Sequence, residues 1–194
     1  MKALILILIL TPNLVLAQTP KLNIRLEHNS SDEFIRRAQI ERLAAKYDLK
    51  KYTVTRDIVI DQFAINHSGP VLTLNLRRFI NNDDRALSVY LHEQAHRLLM
   101  ERYRDRGITH QMLPELKRMY PNLEPPPGDN EGTAYMHLVV FMLEWQALED
   151  VIGVKRARAV FDFMRQNNYK ALVKTVMDNR EQMEKFLTKY DVKW

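Results

Sequence analysis

Residues 130–151 constrain the fold most, because this segment combines helical length with apolar side chains on every face. A helix that is apolar all round has to be covered on all sides by other elements. Gly153 supplies an end signal directly after it. The segment therefore predicts a central helix around which the rest of the domain packs. Its apolar positions are Tyr135, Met136, residues 138–143 and Trp145.

Further patterns predict a small sheet and more helices around this segment. Ser30 and Glu33 form a capping box that starts a helix running through Asp48. The order of elements predicts an α+β, helix-dominated domain: a small N-terminal sheet, then a helix carrying the site, then a helical C-terminal part. One domain is expected over residues 18–194. Strands are expected at residues 52–60 and 71–76, with residues 18–25 as an extended leader or edge strand, and helices at 81–106, 109–119, 155–166 and 169–190.

The composition excludes several classes of protein. The chain has 194 residues, 46% of them hydrophobic and 27% charged, which excludes a disordered or collagen-like chain. It contains no cysteine, so neither a disulfide scaffold nor a lipoprotein is expected. The net charge of +5 is mild and spread along the sequence. No basic arm suited to nucleic acid is present, and nucleic acid is not an expected partner.

The first residues resemble an export signal. Lys2 provides a positive start, residues 3–10 form an apolar run that Pro12 breaks, and Ala17 provides a small residue at a cleavage site. The run is too short to span a bilayer as a stable helix, although a membrane anchor is the alternative interpretation. Residues 1–17 are therefore predicted to be a cleaved signal peptide. The prediction implies a secreted or periplasmic protein with no stable membrane span after cleavage.

The strongest chemical motif is HExxH, formed by residues 92–96 inside a predicted helix. Positions i and i+4 share one helix face, so His92 and His96 can offer two imidazoles to one zinc ion. Glu93 is turned aside by one step, where it can take a proton from a water molecule at the metal. Chance would produce the motif roughly 0.01 times in a chain of this composition. The alternative interpretation is a solvated helix face that carries two surface histidines.

A catalytic zinc site needs a third protein ligand, and the central helix offers three candidates. Glu144 lies in an apolar run, where a buried carboxylate needs a cation. His137 lies two helical turns earlier on the same face, so one ion is not expected to bind both. Glu131 lies on another face of the same helix. The alternatives to ligation are an ion pair of Glu144 with an arginine such as Arg97, a satisfied core histidine, and a helix-dipole role for Glu131.

Five parts of the sequence together resemble zincin-type, gluzincin-like metallopeptidases of bacteria. They are residues 71–76, Arg78, the Asp83–Asp84 pair, residues 91–96 and residues 135–144. HExxH is the specific motif in this resemblance. Residues 131–134 are similar to the EGxA segment of gluzincins, in which the glutamate is the third ligand. Leu99 stands where a metzincin has glycine, so that class is excluded. Arg97 departs from the extended zincin pattern, which prefers an uncharged residue there.

The resemblance implies a secreted zinc metallopeptidase with a peptide or protein substrate. Zn2+ would be held by His92, His96 and one of the three candidates, with Glu93 as general base. Tyr169 or Tyr135 could donate to the developing oxyanion. The strand at residues 71–76 would align the substrate backbone. The alternatives are a catalytically inactive zincin fold that binds metal or a partner, and a secreted helical interaction protein with an accidental HExxH.

Overall fold

The computed structural model describes residues 21–75, 81–104, 107–166 and 169–194. The predicted signal peptide at residues 1–17 lies outside these residues. The prediction of a helix-dominated α+β fold is confirmed. The strands are β1 (Asn23–Leu26), β2 (Asp57–Ile60) and β3 (Leu72–Leu74), and the helices are α1 (Ser31–Lys46), α2 (Asp83–Leu98), α3 (Ile108–Met119), α4 (Glu131–Ile152), α5 (Val154–Met164), α6 (Lys170–Asp178) and α7 (Arg180–Lys189).

The three strands form a parallel sheet in the order β1-β2-β3. The predicted leader therefore contains an edge strand, β1. The predicted strand at residues 52–60 is shorter than expected, because Lys50–Tyr52 forms a 3-10 turn and pairing begins only at Asp57. All three residues of β3 are buried, which places the sheet against the helices.

The outer edge of β3 is occupied by the chain itself. Thr73 donates its amide to the His67 carbonyl at 2.7 Å and accepts a hydrogen bond from the His67 amide at 3.1 Å. Two residues further on, Asn66 Oδ1 accepts a hydrogen bond from the Asn75 amide at 2.6 Å. The expectation that this strand aligns a substrate backbone is therefore wrong at Thr73, because its pairing groups are already bonded.

The helix ends follow local capping chemistry. Ser30 caps α1 as its capping box indicates, and Asn82 and Asn130 accept hydrogen bonds from the third residue beyond them at the starts of α2 and α4. Gly153 ends α4 at φ 81°, a conformation that glycine tolerates. The helix predicted over residues 169–190 is divided at Asn179, whose side-chain amide donates to the Thr175 carbonyl at 2.8 Å.

The prediction of a central apolar helix is confirmed by the burial of α4. Fourteen of its residues are buried, and helices α2, α3, α5, α6 and α7 all contact it. The predicted helix over residues 81–106 is α-helical only to Leu98 and continues as a wider π-helical segment, Leu99–Arg104. Among the described helices, none has the length and apolarity needed to cross a membrane.

Candidate metal centre

The candidate centre lies where α2 and α4 pack against each other, the largest helix contact in the described chain. One face of α2 presents Ser88, His92 and His96, which are spaced by four residues. The facing side of α4 presents Glu144, Phe141 and His137 in the opposite chain order. The helical period therefore brings into direct contact side chains that are separated by 41 to 56 positions in the sequence.

The middle of the motif anchors α2 to the sheet side of the domain. Gln94 is fully buried, and its Oε1 accepts hydrogen bonds from the Val54 and Thr55 amides at 2.8 and 3.0 Å. Its Nε2 donates to the Thr55 carbonyl at 2.8 Å. Every polar atom of this amide is thus used, which fixes the rotation of the helix and with it the direction of His92 and His96.

Three imidazole rings, His92, His96 and His137, converge and are called here the histidine cluster. The Nε2 atom of His96 lies 3.2 Å from Nε2 of His92 and 3.2 Å from Nε2 of His137. One ligating atom from each ring lies within 4.8 Å of the others. The rings of His92 and His96 remain partly exposed, so solvent reaches the cluster.

The far sides of two rings determine their tautomers. His137 Nδ1 lies 3.0 Å from the Thr133 carbonyl, which can only accept, so this nitrogen carries the proton. His92 Nδ1 lies 2.8 Å from Glu144 Oε2, and this carboxylate only accepts when it is ionised, the form that a cation bound at His92 would favour. In the neutral rings, both Nε2 atoms then present a lone pair towards His96. At most one of the two short Nε2 contacts can be a hydrogen bond donated by His96.

The donor set fits a zinc ion. Zn–N distances of about 2.0–2.1 Å in tetrahedral geometry place ligand nitrogens roughly 3.3–3.4 Å apart. The two Nε2 separations of 3.2 Å are close to that spacing. Three imidazole nitrogens leave a fourth position for water or substrate, as catalytic zinc sites do. His92, His96 and His137 are therefore the residues that could hold zinc.

Burial favours the ligand form of the histidines. Desolvation lowers the pKa of His92 and of His96 well below the ordinary value, and neighbouring rings of the cluster add to the effect. Desolvation also lowers the pKa of His137. The three rings are therefore neutral near pH 7, and only neutral imidazole offers a lone pair to a metal.

Glu144, the first candidate for third ligand, lies behind His92 rather than beside the converging nitrogens. Its carboxylate is fully buried and contacts the Nδ1 side of His92, while its other oxygen accepts a hydrogen bond from the Ser88 hydroxyl. Without a cation nearby, burial raises the pKa of Glu144 to about 8, and a cation bound at His92 would lower this pKa by favouring the ionised carboxylate. His137, the second candidate, joins the cluster instead. The two side chains thus reach opposite sides of the His92 ring, in keeping with the expectation that one ion would not bind both.

Glu131, the third candidate, lies away from the histidine cluster. Its carboxylate pairs with Lys117 at 2.5 Å and is 58% exposed. Its position at the first residue of α4 matches the alternative interpretation, in which a carboxylate compensates the helix dipole. The similarity of residues 131–134 to the EGxA segment therefore does not bring this glutamate to the candidate centre.

Glu93, the residue after His92 in the motif, is buried. Its side chain is 5% exposed, and no described residue donates a hydrogen bond to its carboxylate. Burial raises its pKa to about 8, and the charge of Glu144 acts in the same direction. A buried carboxylate whose oxygens are not used by the protein is available to a water molecule.

The two tyrosines proposed as donors differ in position. The ring of Tyr169 lies 5.5 Å from that of His137 and 6.4 Å from that of His92, so it borders the cluster. The hydroxyl of Tyr135 donates to the Tyr120 carbonyl at 2.7 Å, in contact with a loop. Only Tyr169 is therefore placed next to the candidate centre.

Arg97, the departure from the zincin pattern, attaches a loop to α2. It donates to the carbonyls of Ser68 and Pro70 at 3.3 and 3.0 Å, and it pairs with Glu101. Arg97 is not the partner of Glu144. Its charge lies on the sheet side of the helix end, where it holds the turn that precedes β3.

A second group of possible ligands, His28, Glu33 and Asp61, is called here the N-terminal group. One ligating atom from each also lies within 4.8 Å of the others. Glu33 accepts hydrogen bonds from the amides of His28 and Gln62 at 2.8 and 3.2 Å. Asp61 Oδ1 accepts hydrogen bonds from the amides of Phe63 and Ala64 at 2.8 and 3.2 Å. Both carboxylates of the N-terminal group therefore already accept hydrogen bonds from backbone amides.

Sequence reasoning missed Ser88 and Gln94. Ser88 lies one helical turn before His92 on the same face, so the period that pairs the histidines could also have indicated it. The partners of Gln94, Val54 and Thr55, lie 40 and 39 positions away, and no local pattern predicts such contacts.

No protein-family model, curated protein or solved structure matches this chain. Interpretation of the centre therefore rests on the positions of its own side chains.

Proposed function

We propose that this chain is a zinc-dependent hydrolase that cleaves peptide bonds. The observation that carries the proposal is the convergence of three imidazole nitrogens from two packed helices, in which His96 Nε2 lies 3.2 Å from Nε2 of both His92 and His137. The choice of zinc follows from the all-nitrogen donor set and its spacing. The choice of peptide bonds follows from the resemblance of the HExxH segment to zincin metallopeptidases.

The chain's own residues have distinct roles in this reaction. His92, His96 and His137 would hold the ion through their Nε2 atoms. Bound zinc supplies Lewis-acid chemistry, which polarises a carbonyl oxygen and makes water easier to deprotonate. Glu93 accepts the proton of the attacking water and passes it to the leaving amine.

Tyr169 is proposed to assist at the substrate carbonyl. Its ring centroid lies 6.4 Å from that of His92 and 5.5 Å from that of His137. A phenolic hydroxyl there can donate a hydrogen bond to the oxygen that gains negative charge during attack. The Tyr169→Phe variant should keep zinc and lose turnover.

Export through a cleaved signal at residues 1–17 remains part of the proposal. A secreted or periplasmic hydrolase without cysteine gains stability from its core and from a bound metal. The rival function is metal or partner binding without catalysis, in which zinc binds but no peptide is cleaved.

Glu93→Gln tests the proposed chemistry in the full chain. The amide cannot accept a proton, so we expect turnover of a fluorogenic peptide library to fall at least about 100-fold while zinc content is retained. Turnover that survives in Glu93→Gln would contradict the role of Glu93. A zinc-loaded wild-type chain that leaves the whole library uncut would favour the non-catalytic alternative.

A further inference from the structure

The three rings of the histidine cluster differ in what lies behind them. His92 faces a carboxylate, Glu144 Oε2 at 2.8 Å. His137 faces the neutral Thr133 carbonyl at 3.0 Å, with the carboxylate of Asp129 further away at 3.8 Å. Among the described residues, no hydrogen bond is made at the Nδ1 of His96. One ring of the three is therefore held by a charged group.

The contact at His92 is part of a chain of hydrogen bonds across the helix interface. Ser88 donates to Oε1 of Glu144, and Oε2 of Glu144 accepts from His92 Nδ1. Ser88 is 3% exposed and Glu144 is 0% exposed, so water does not compete with either bond. Ser88 and His92 lie one turn apart on α2, which aligns both donors with one carboxylate of α4.

A fully buried carboxylate in an apolar helix is costly to the fold, because removing the charge from water is only partly offset by two hydrogen bonds. An apolar residue at this position would pack against the same neighbours without that cost. A cation held at the Nε2 side of His92 would offset it, since the carboxylate then faces a positive charge through the ring.

We propose that Glu144, held by Ser88, is a positioning residue that fixes the tautomer and orientation of His92 for metal binding. The inference rests on the proposed function, because it assumes that His92 is a zinc ligand. Glu144 keeps the proton on Nδ1, leaves the Nε2 lone pair towards the ion, and raises the basicity of the ring. The hydrogen bond from Ser88 holds the Glu144 carboxylate in the rotamer that contacts His92 Nδ1.

Zinc titration of the full chain against a chromophoric chelator tests the proposal in four proteins: the wild type, Glu144→Gln, Glu144→Ala and Ser88→Ala. The glutamine can accept from His92 through its amide oxygen, while its NH2 group can only donate to the Ser88 hydroxyl, so it loses the charge and reverses one hydrogen bond; we expect its zinc Kd to rise about 10-fold. The alanine loses charge and hydrogen bond, and its Kd should rise towards about 100-fold. Ser88→Ala should give a smaller increase, because the carboxylate remains.

Glu93→Gln is the matched control, since it neutralises the other buried carboxylate beside the cluster without touching a ligand ring. Its zinc Kd should stay within about 3-fold of the wild-type value. Unfolding midpoints measured in excess chelator separate positioning from structure. If Glu144 had only a structural role, Glu144→Gln would lower the unfolding midpoint and leave the zinc Kd unchanged. The positioning role instead predicts that Glu144→Gln raises the zinc Kd and keeps the unfolding midpoint at or above the wild-type value.

An unchanged zinc Kd in Glu144→Gln and in Ser88→Ala would overturn the positioning role. If Glu144→Ala does not fold, Ser88→Ala still decides the matter, because it removes one hydroxyl from a helix. Failure of the proposed function looks different: the wild-type chain itself would then bind no zinc.

Discussion

The histidine cluster and the N-terminal group both bring three ligating side chains within 4.8 Å, yet their atoms are used differently. In the N-terminal group, the carboxylates of Glu33 and Asp61 accept hydrogen bonds from four backbone amides. In the histidine cluster, the outer hydrogen bonds lie at Nδ1 of His92 and His137, and the Nε2 atoms face one another.

The difference teaches that closeness alone does not define a metal site. Backbone amides that fill a carboxylate make it part of a turn or a helix cap, and a cation would have to replace those bonds. The anchored rings of His92 and His137 direct two Nε2 lone pairs at His96, which can satisfy only one of them by donating a hydrogen bond. We therefore propose metal binding for the histidine cluster and a structural role for the N-terminal group.

The largest expected effect separates the two regions directly. His137→Ala removes one of three ligands, so its zinc Kd should rise by more than the roughly 10–100-fold typical of residues behind a ligand. His28→Ala, the matched change in the N-terminal group, should leave zinc Kd unchanged. Competition with a chromophoric chelator measures both. A drop in zinc affinity in His28→Ala as large as that in His137→Ala would reverse the assignment.

The next largest effect is expected for substitution of Glu33, which should change the free energy of unfolding rather than the affinity for zinc. Glu33→Ala removes a fully buried carboxylate and leaves the amides of His28 and Gln62 without their acceptor. The free energy of unfolding should fall by about 1–3 kcal/mol. Urea unfolding in excess chelator measures this change, and a parallel zinc titration should match the wild type. Weaker zinc binding with unchanged stability would be the opposite of what this structural role requires.

The smallest effect is expected for substitution of Asp61, which should change the stability of the protein only at acidic pH. Hydrogen bonding from the Phe63 amide lowers the pKa of Asp61 below its ordinary value. A carboxyl whose pKa is lower in the folded state stabilises the protein above its unfolded pKa, about 3.9, and loses that contribution as pH falls through the folded value. Asp61→Asn should therefore flatten the decline in stability below about pH 4. Urea midpoints from pH 5 to pH 2, about the range concerned, test this, and curves parallel to wild type would count against it.

Patterns with a local cause were predictable from the sequence. The apolar segment that became α4, the caps at Ser30 and Gly153, and the pairing of His92 with His96 all follow from spacing along one element. The choice between His137 and Glu144 was not predictable. Both lie on one face of α4, and their roles depend on how far α4 is shifted along α2.

The covering of β3 shows a second limit of sequence reasoning. An edge strand is expected to pair outward, but whether a neighbouring loop returns to cover it depends on contacts such as that between Arg97 and the Ser68 carbonyl. These contacts join residues 29 positions apart and leave no periodic signal.

Zinc content is the most direct test of the claim that His92, His96 and His137 form a metal site. The full chain and its His92→Ala variant are incubated with excess zinc, dialysed, and measured by elemental analysis. We expect about one zinc ion per wild-type chain and far less in the variant. A wild-type chain that retains no more zinc than the variant would contradict the claim.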